Sequence, residues 1–310
     1  MSLIRDVVDG VNSVDAIPER VERCASFHIL DAVGVGFAAT ASKIGEPWIL
    51  HSATVVGASG PASIFGQTLG AKPADAVLVN GSLMHSLEFD DTHTGSIAHG
   101  SSVLAAAVIA AFEGSRVQVD EDQGRAILRL YILWYEVLIR IGLASPGGFQ
   151  NNGFQLTSVG GAICAAGLAA HQRGMDHVKT TAAMSIALSQ ASGVLEFLAN
   201  GSTVKSMHPG WAGHCGLIAA ELAEAGLTGP DTALEGRFGL FRVFADDDQA
   251  SERLAKHLET LGEYWHLEEV AFKFLPCCHY LHSFVEAAAK LSKSEVEIEQ
   301  IKEIEFKVPS

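Results

Sequence analysis

From Pro18 to about residue 292, apolar residues recur at helical spacing in one segment after another, and this periodicity constrains the fold before any single motif does. It predicts helices over 18–40, 73–87, 100–114, 121–143, 156–173, 177–191, 205–226, 250–261 and 278–292, with Gly- and Pro-bearing breaks between them. Asp15 is the expected cap of the first, with Pro18 in its first turn. Hydrophobic residues make up 48% of the chain but aromatics only 7%, so the helices must pack through abundant Ala and Gly. Residues 43–72 read as Gly-rich and irregular, with "ASIFGQ" as a short strand. "GLTGPDTALEG" reads as a turn followed by a brief helix capped by Asp231.

The last segment changes character. In "IKEIEFKV", Ile301, Ile304, Phe306 and Val308 settle into strand-like alternation, and a strand needs partners that nothing after Ser310 supplies. The expectation is a mainly α chain. An all-helical domain covers 1–265, to which helices beyond residue 310 can still add. Residues 266–310 begin a smaller α/β lid domain that is incomplete in this chain.

A formal net charge of -15 argues against a nucleic-acid partner, because a phosphate backbone needs a basic face. An anionic small substrate remains possible if its site reverses the field locally. The five cysteines (24, 164, 215, 277 and 278) are odd in number and mostly in apolar surroundings, which suits reduced thiols in the cytoplasm. "MSLIRDVVDG" lacks the apolar core of a signal peptide, and the longest apolar run, Val103 to Phe112, is too short for a bilayer. A soluble cytoplasmic protein without a membrane partner is expected.

Four segments carry chemical potential. "HSLEFDDTHTGSIAHGSS" (85–102) packs Glu88, Asp90 and Asp91 with His85, His93 and His99 into fifteen positions ahead of an apolar helix. Its spacing fits no standard zinc pattern. Acid–base chemistry by His99 with an orienting carboxylate stands beside a reading in which Asp90, Asp91 and Thr92 are turn and cap residues and His93 is solvated. "ANGSTVKSMHPGWAGHCG" (199–216) sets Lys205 and His208 on one helical face near a helix start, a natural carboxylate seat; a surface Lys and a capping His are the plainer account. "FKFLPCCHYLHSF" (272–284) places Lys273 between two Phe, where a cation needs an anionic partner; its adjacent cysteines chelate one ion poorly. "SPGGFQNNGFQLTSVGGAICAAG" (145–167) brings Gln155 to the mouth of a helix, either as a site residue or as part of an ordinary loop and cap. No phosphate-loop motif occurs, and the "GVG" at 34–36 lies within a helical pattern.

In this order, "NGSLMHSLEFDDTH…HGSSV", "GFQLTSVGGAICAAGLAA", "SQASGVLEFLANGSTVKSMHPGWAGHCGLIAAELAEAGLTGP" and "FKFLPCCHYLHS" resemble the MmgE/PrpD family. It includes 2-methylcitrate dehydratase, cis-aconitate decarboxylase and iminodisuccinate epimerase. The resemblance implies an all-α domain and an α/β lid with the site between them, a homodimer, no metal and no organic cofactor. It places the family's acid on Glu88, with Asp90, Asp91 and Thr92 beside it, its histidine on His99, and its lysines on Lys205 and Lys273. Three positions depart from the family: Glu88 is one methylene longer than the usual Asp, Gln155 replaces a histidine, and Cys278 replaces a histidine of the decarboxylase branch.

The expected function is a cofactor-independent hydro-lyase that dehydrates a citrate-like hydroxy-polycarboxylate. His99, Glu88, Asp91 and Lys205 are the expected catalytic residues, and Asp90, Thr92, Gln155, His208, Lys273 and Cys278 the expected substrate contacts. The alternatives are a dicarboxylate epimerase and a non-catalytic carboxylate-binding paralogue.

Overall fold

A computed structural model describes residues 2–55, 60–115, 121–293 and 297–307. The expected helices form as α2 (Glu19–Thr40), α4 (Pro73–Ser86), α5 (Gly100–Gly114), α6 (Glu121–Ala144), α8 (Leu156–Gln172), α9 (His177–Leu188), α10 (Met207–Glu224), α11 (Ala250–Leu258) and α12 (His282–Leu291). The chain is mainly α, and among the described residues no helix is long and apolar enough to cross a membrane. Helix α10 lies between α8 and α4, and α5 closes the group.

Small residues make this packing possible. A Cβ on Gly210 of α10 would lie 2.2 Å from the Leu78 carbonyl oxygen of α4, and one on Gly216 would lie 2.7 Å from the Ala166 nitrogen of α8. Backbones this close admit no side chain, so glycine sets the helix spacing here.

The structure corrects several local expectations. A first helix, α1 (Leu3–Ser13), buries the stripe Leu3, Ile4, Val7, Val8 and Val11. Helix α3 (Glu46–Val55) and the short α7 (Gly148–Asn151) also form, α3 within the stretch read as irregular; it rests half-buried on the core through Trp48, Ile49 and Val55. "ASIFGQ" is reduced to one bridge between Ala62 and Ala71, and the start of that glycine-rich run (57–59) lies outside the described residues. No helix follows Asp231; turns run to Gly239, and Asp231 instead pairs with Arg5 at 2.6 Å. Pro18 rather than Asp15 occupies the N-cap of α2, without a side-chain cap. Residues 301–307 adopt no regular structure and stay exposed, and among the described residues no neighbouring strand offers them hydrogen bonds; Val308 lies outside the described residues.

A buried ion pair ties the end of the helical body to the segment that leads to Lys273. Arg140 on α6 donates to the carbonyls of His257 (2.9 Å), Thr260 (3.2 Å) and Tyr264 (2.9 Å), and it contacts the Glu136 carboxylate. Glu136 in turn accepts the Leu267 N–H at 2.7 Å. Replacing Arg140 with Met strands a buried carboxylate and three carbonyls. The expected cost is about 3–5 kcal/mol in urea unfolding, partly recovered in Arg140→Met/Glu136→Leu. Unchanged midpoints in the single variant would contradict this role.

Candidate active site

The C-terminal end of α4 meets the N-terminal ends of α5, α8 and α10, and there the chain places its histidines and lysines together. His85 lies in the last turn of α4, His99 caps α5, Gln155 caps α8, and His208 stands in the first turn of α10. Between α4 and α5 the loop turns sharply, with Glu88 at φ 53° and Ile97 at φ 57°, both in the left-handed region. His93 and Ala98 exchange backbone hydrogen bonds at 2.9 and 3.3 Å, which folds the loop back so that His99 reaches the site.

Asp90 occupies the centre, with no solvent exposure. Its Oδ2 accepts the His85 Nδ1–H at 2.7 Å and lies 3.9 Å from His99 Nδ1, and its Oδ1 lies 3.8 Å from Lys273 Nζ. Burial pushes this carboxyl up, but His85, His99 and Lys273 together hold it well below the usual carboxylate range. Lys273 also donates to the Glu88 carbonyl at 3.1 Å. Lys205 forms an ion pair with the Glu88 carboxylate, and burial of that carboxyl is outweighed by His85 and Lys205, so its pKa is lowered.

The proton on His99 can be assigned from its partners. Nδ1 lies 2.9 Å from the Asp91 carbonyl oxygen, which only accepts, so Nδ1 carries the hydrogen; the Thr92 hydroxyl stands 3.0 Å away. Nε2 is therefore the unprotonated nitrogen. Burial, together with the charges of His85, Lys273 and Lys205, lowers the ring to about 4 despite Asp90, so it is a neutral base at pH 7. The side chain keeps 11% exposure.

A second neutral histidine stands on the other side of Gln155. His208 Nδ1–H donates to Gln155 Oε1 at 2.5 Å, and Gln155 Nε2 faces His85 Nε2 at 3.5 Å. Burial and the charges of His85 and Lys205 lower His208 to about 4. Glu88, Lys205 and the exposed Cys278 line a cleft of about 370 Å³; His208 lines an adjoining one of about 360 Å³.

Nearly all the residues singled out in the sequence thus converge, but Asp91 turns its carboxylate away. That group contacts the Ser101 hydroxyl and lies 3.0 Å from His28 Nδ1, and only its backbone carbonyl reaches His99. His85 and His28 were not assigned roles from sequence. His28 had one legible signal, since it occupies the buried stripe of α2 with Val21, Ala25 and Ala32. His93 is buried rather than solvated.

Among the described residues, His93, His266 and Glu269 are spaced closely enough to hold a metal ion. Their donor chemistry does not suit one. His93 Nδ1 accepts the Ser96 N–H at 3.1 Å, so Nε2 bears the hydrogen and donates to Glu269 Oε2 at 3.3 Å. Tyr264 and His266 complete this cluster, and their hydrogen bonds bring Glu269 down to about 2.

Comparison with known proteins gives a consistent result. A profile of the MmgE/PrpD N-terminal domain matches residues 6–253. The cis-aconitate decarboxylase of Aspergillus terreus (strain NIH 2624 / FGSC A1156) is 28% identical over 291 residues, covering 92% of this chain and 59% of that protein. Cis-aconitate decarboxylase of Homo sapiens is 28% identical over 309 residues, covering 96% and 62%, and that of Mus musculus is 28% identical over 286, covering 90% and 56%. The chain therefore spans about three-fifths of the length of these curated relatives.

The lowered histidines fix the sign of an acid effect. Between pH 6.5 and 4 the unfolded chain binds protons that His99 and His208 refuse when folded, so stability falls as pH falls through that window. Asp31 opposes this: burial and the nearby Asp91 raise it to about 6, so its contribution is lost as pH rises. His28, raised to about 9 by Asp91 and Cys24 despite burial, also opposes it down to about pH 6.5, whereas His171, which burial lowers to about 4, adds to the fall; the three lowered rings outweigh the two raised groups. Urea midpoints are expected to drop from pH 7.5 to 5, and His99→Gln should drop less. Equal drops in both proteins would show that His99 is not held neutral.

Proposed function

The chain belongs to the MmgE/PrpD family, and from that premise we propose that it is a cofactor-independent lyase that dehydrates a citrate-like hydroxy-polycarboxylate. The observation that carries this reading is His99: a neutral ring with its Nδ1–H held by Asp91 and Nε2 unprotonated, in a site that also holds two lysines. A homodimer is part of the same reading.

The substrate carboxylate replaces the Glu88 carboxylate at Lys205 and lies within reach of Lys273. His99 Nε2 takes the proton from the carbon next to that carboxylate. Negative charge then builds on the carboxylate oxygens, where the two ammonium groups stabilise it more than they stabilise the ground state. The β C–O bond breaks as the alkene forms, and the departing hydroxyl takes up a proton and leaves as water. The His99 imidazolium formed in the first step is a proton donor already in place. Thr92 and Gln155 orient the rings, and Cys278 faces the cleft that receives the substrate.

Two other outcomes use the same groups. The relatives named above are decarboxylases, and in that chemistry the C–C bond to a carboxylate breaks, CO₂ leaves, and the electron pair left on carbon takes up a proton, so the ring donates a proton where dehydration first removes one. His208, as a second neutral ring, supports epimerisation of a dicarboxylate by returning the proton from the opposite side. Incubating the full-length protein with candidate acids in D₂O separates these. An alkene formed with loss of water is expected. Evolution of CO₂, or deuterium uptake without an alkene, would replace dehydration with the corresponding alternative. Neither turnover nor exchange across a broad carboxylate panel would leave a carboxylate-binding paralogue.

A further inference from the structure

We propose that His28, on α2, is the positioning residue of the site: it holds Asp91 against the start of α5 and Phe272 beside Lys273, and thereby sets which nitrogen of His99 carries the proton. The inference rests on the reading of His99 as the proton-moving group.

Two segments distant in sequence build the site. One is the loop through Asp90, Asp91 and Thr92 that ends in His99, and the other leads through Ala271 and Phe272 to Lys273. They are joined by a single antiparallel bridge, Thr92 N–H to Ala271 O at 3.0 Å and Ala271 N–H to Thr92 O at 2.9 Å. His28 lies against both. Its Nδ1 is 3.0 Å from Asp91 Oδ2, and its ring stacks on Phe272 with centroids 4.1 Å apart and planes 9° from parallel. It has no solvent exposure, so neither partner can be exchanged for water.

The chain of consequence runs through the backbone of Asp91. Its carboxylate accepts two hydrogen bonds, from the Ser101 hydroxyl and from the Ser101 N–H at 3.4 Å, and pairs by charge with His28 at 3.0 Å without an aligned hydrogen bond. Ser101 is held in turn by the Tyr131 hydroxyl at 2.6 Å. With the side chain clamped, the Asp91 carbonyl has a fixed direction, and it is that carbonyl which takes the His99 Nδ1–H. A loose carbonyl would let the ring exchange tautomers and place the hydrogen on the nitrogen needed as a base.

A charge argument supports the same assignment. The groups acting on His28 are Asp91 from the loop and Cys24 and Asp31 from its own helix, while Tyr131 of α6 faces Asp91. Burial alone would lower the ring, but Asp91 and Cys24 outweigh burial and raise it to about 9. His28 is then a buried imidazolium that neutralises a buried carboxylate. Without it, the Asp91 charge would lie a short distance from His99 uncompensated and would favour protonation of that ring.

The test needs no substrate, so its failure is separate from failure of the lyase reading. Long-range proton–nitrogen spectra of the wild-type protein with ¹⁵N-labelled histidine read the protonation of each ring. At pH 7 His28 should be fully protonated and His99 neutral with its hydrogen on Nδ1. As pH rises to 10, the His99 ring signals should inflect where His28 titrates. In His28→Gln, folded by near-UV circular dichroism, His99 should show mixed tautomers and a midpoint raised by about one unit. A neutral His28 at pH 7, His99 signals that ignore its titration, or an unchanged His99 in the folded variant would each overturn the proposal. Should the variant not fold, the wild-type titration decides alone.

Discussion

An ionised carboxylate with no contact to solvent stands at the centre of this structure, and the rest of the site is arranged around it. Asp90 is tolerable there only because His85 donates to one oxygen and Lys273 lies near the other. Its Oδ1 has no hydrogen-bond partner of its own, so the ammonium group 3.8 Å away is its main compensation. That requirement draws Lys273 inward from a segment more than 180 residues along the chain. The bridge from Thr92 to Ala271, the stacked His28–Phe272 pair and the Arg140 hub behind them all serve to keep that segment in register.

Helix ends contribute a second constraint. The starts of α5, α8 and α10 bring the positive ends of three dipoles together in one region. In a chain of net charge -15, such a point is where the local field can turn positive. It also disfavours protonation of the histidines placed there, in line with burial and the lysine charges that bring His99 and His208 to about 4. The same geometry thus favours a bound anion and keeps the nearby rings neutral. Glu88 occupies part of this field, with its carboxylate on Lys205 and its carbonyl on Lys273, where an incoming carboxylate would compete.

Much of this was legible in the sequence, for identifiable reasons. Long amphipathic or uniformly apolar helices such as α2, α8 and α10 announce themselves by periodicity, and their small residues foretell close packing. Helix α3 did not, because Trp48, Ile49 and Val55, which pack half-buried against the core, form no repeating apolar stripe over its ten residues. The alternating tail at 301–307 read as a strand, but side-chain alternation cannot supply a hydrogen-bonding neighbour. In the site, Glu88, His99, Lys205 and Lys273 were found because their segments resemble those of the family, Lys273 also because a cation stands between two Phe, and Gln155 because it sits at the mouth of a helix. His28 and His85 were passed over because their partners come from packing: His28 meets Asp91 and Phe272 from two other segments. Asp91 was read as a site carboxylate, yet what reaches His99 is its carbonyl, and residue type does not encode which group of a residue faces a site.

The account stands on His99 as the group that removes the proton. The most direct measurement is the rate at which hydrogen at the carbon next to a substrate carboxylate exchanges with D₂O, for full-length wild type and His99→Ala. Substrate affinity is read in parallel by calorimetry. The account predicts that exchange is lost in the variant while affinity is largely kept, because Lys205 and Lys273 still hold the carboxylate. Exchange that continues at the wild-type rate in His99→Ala would contradict it.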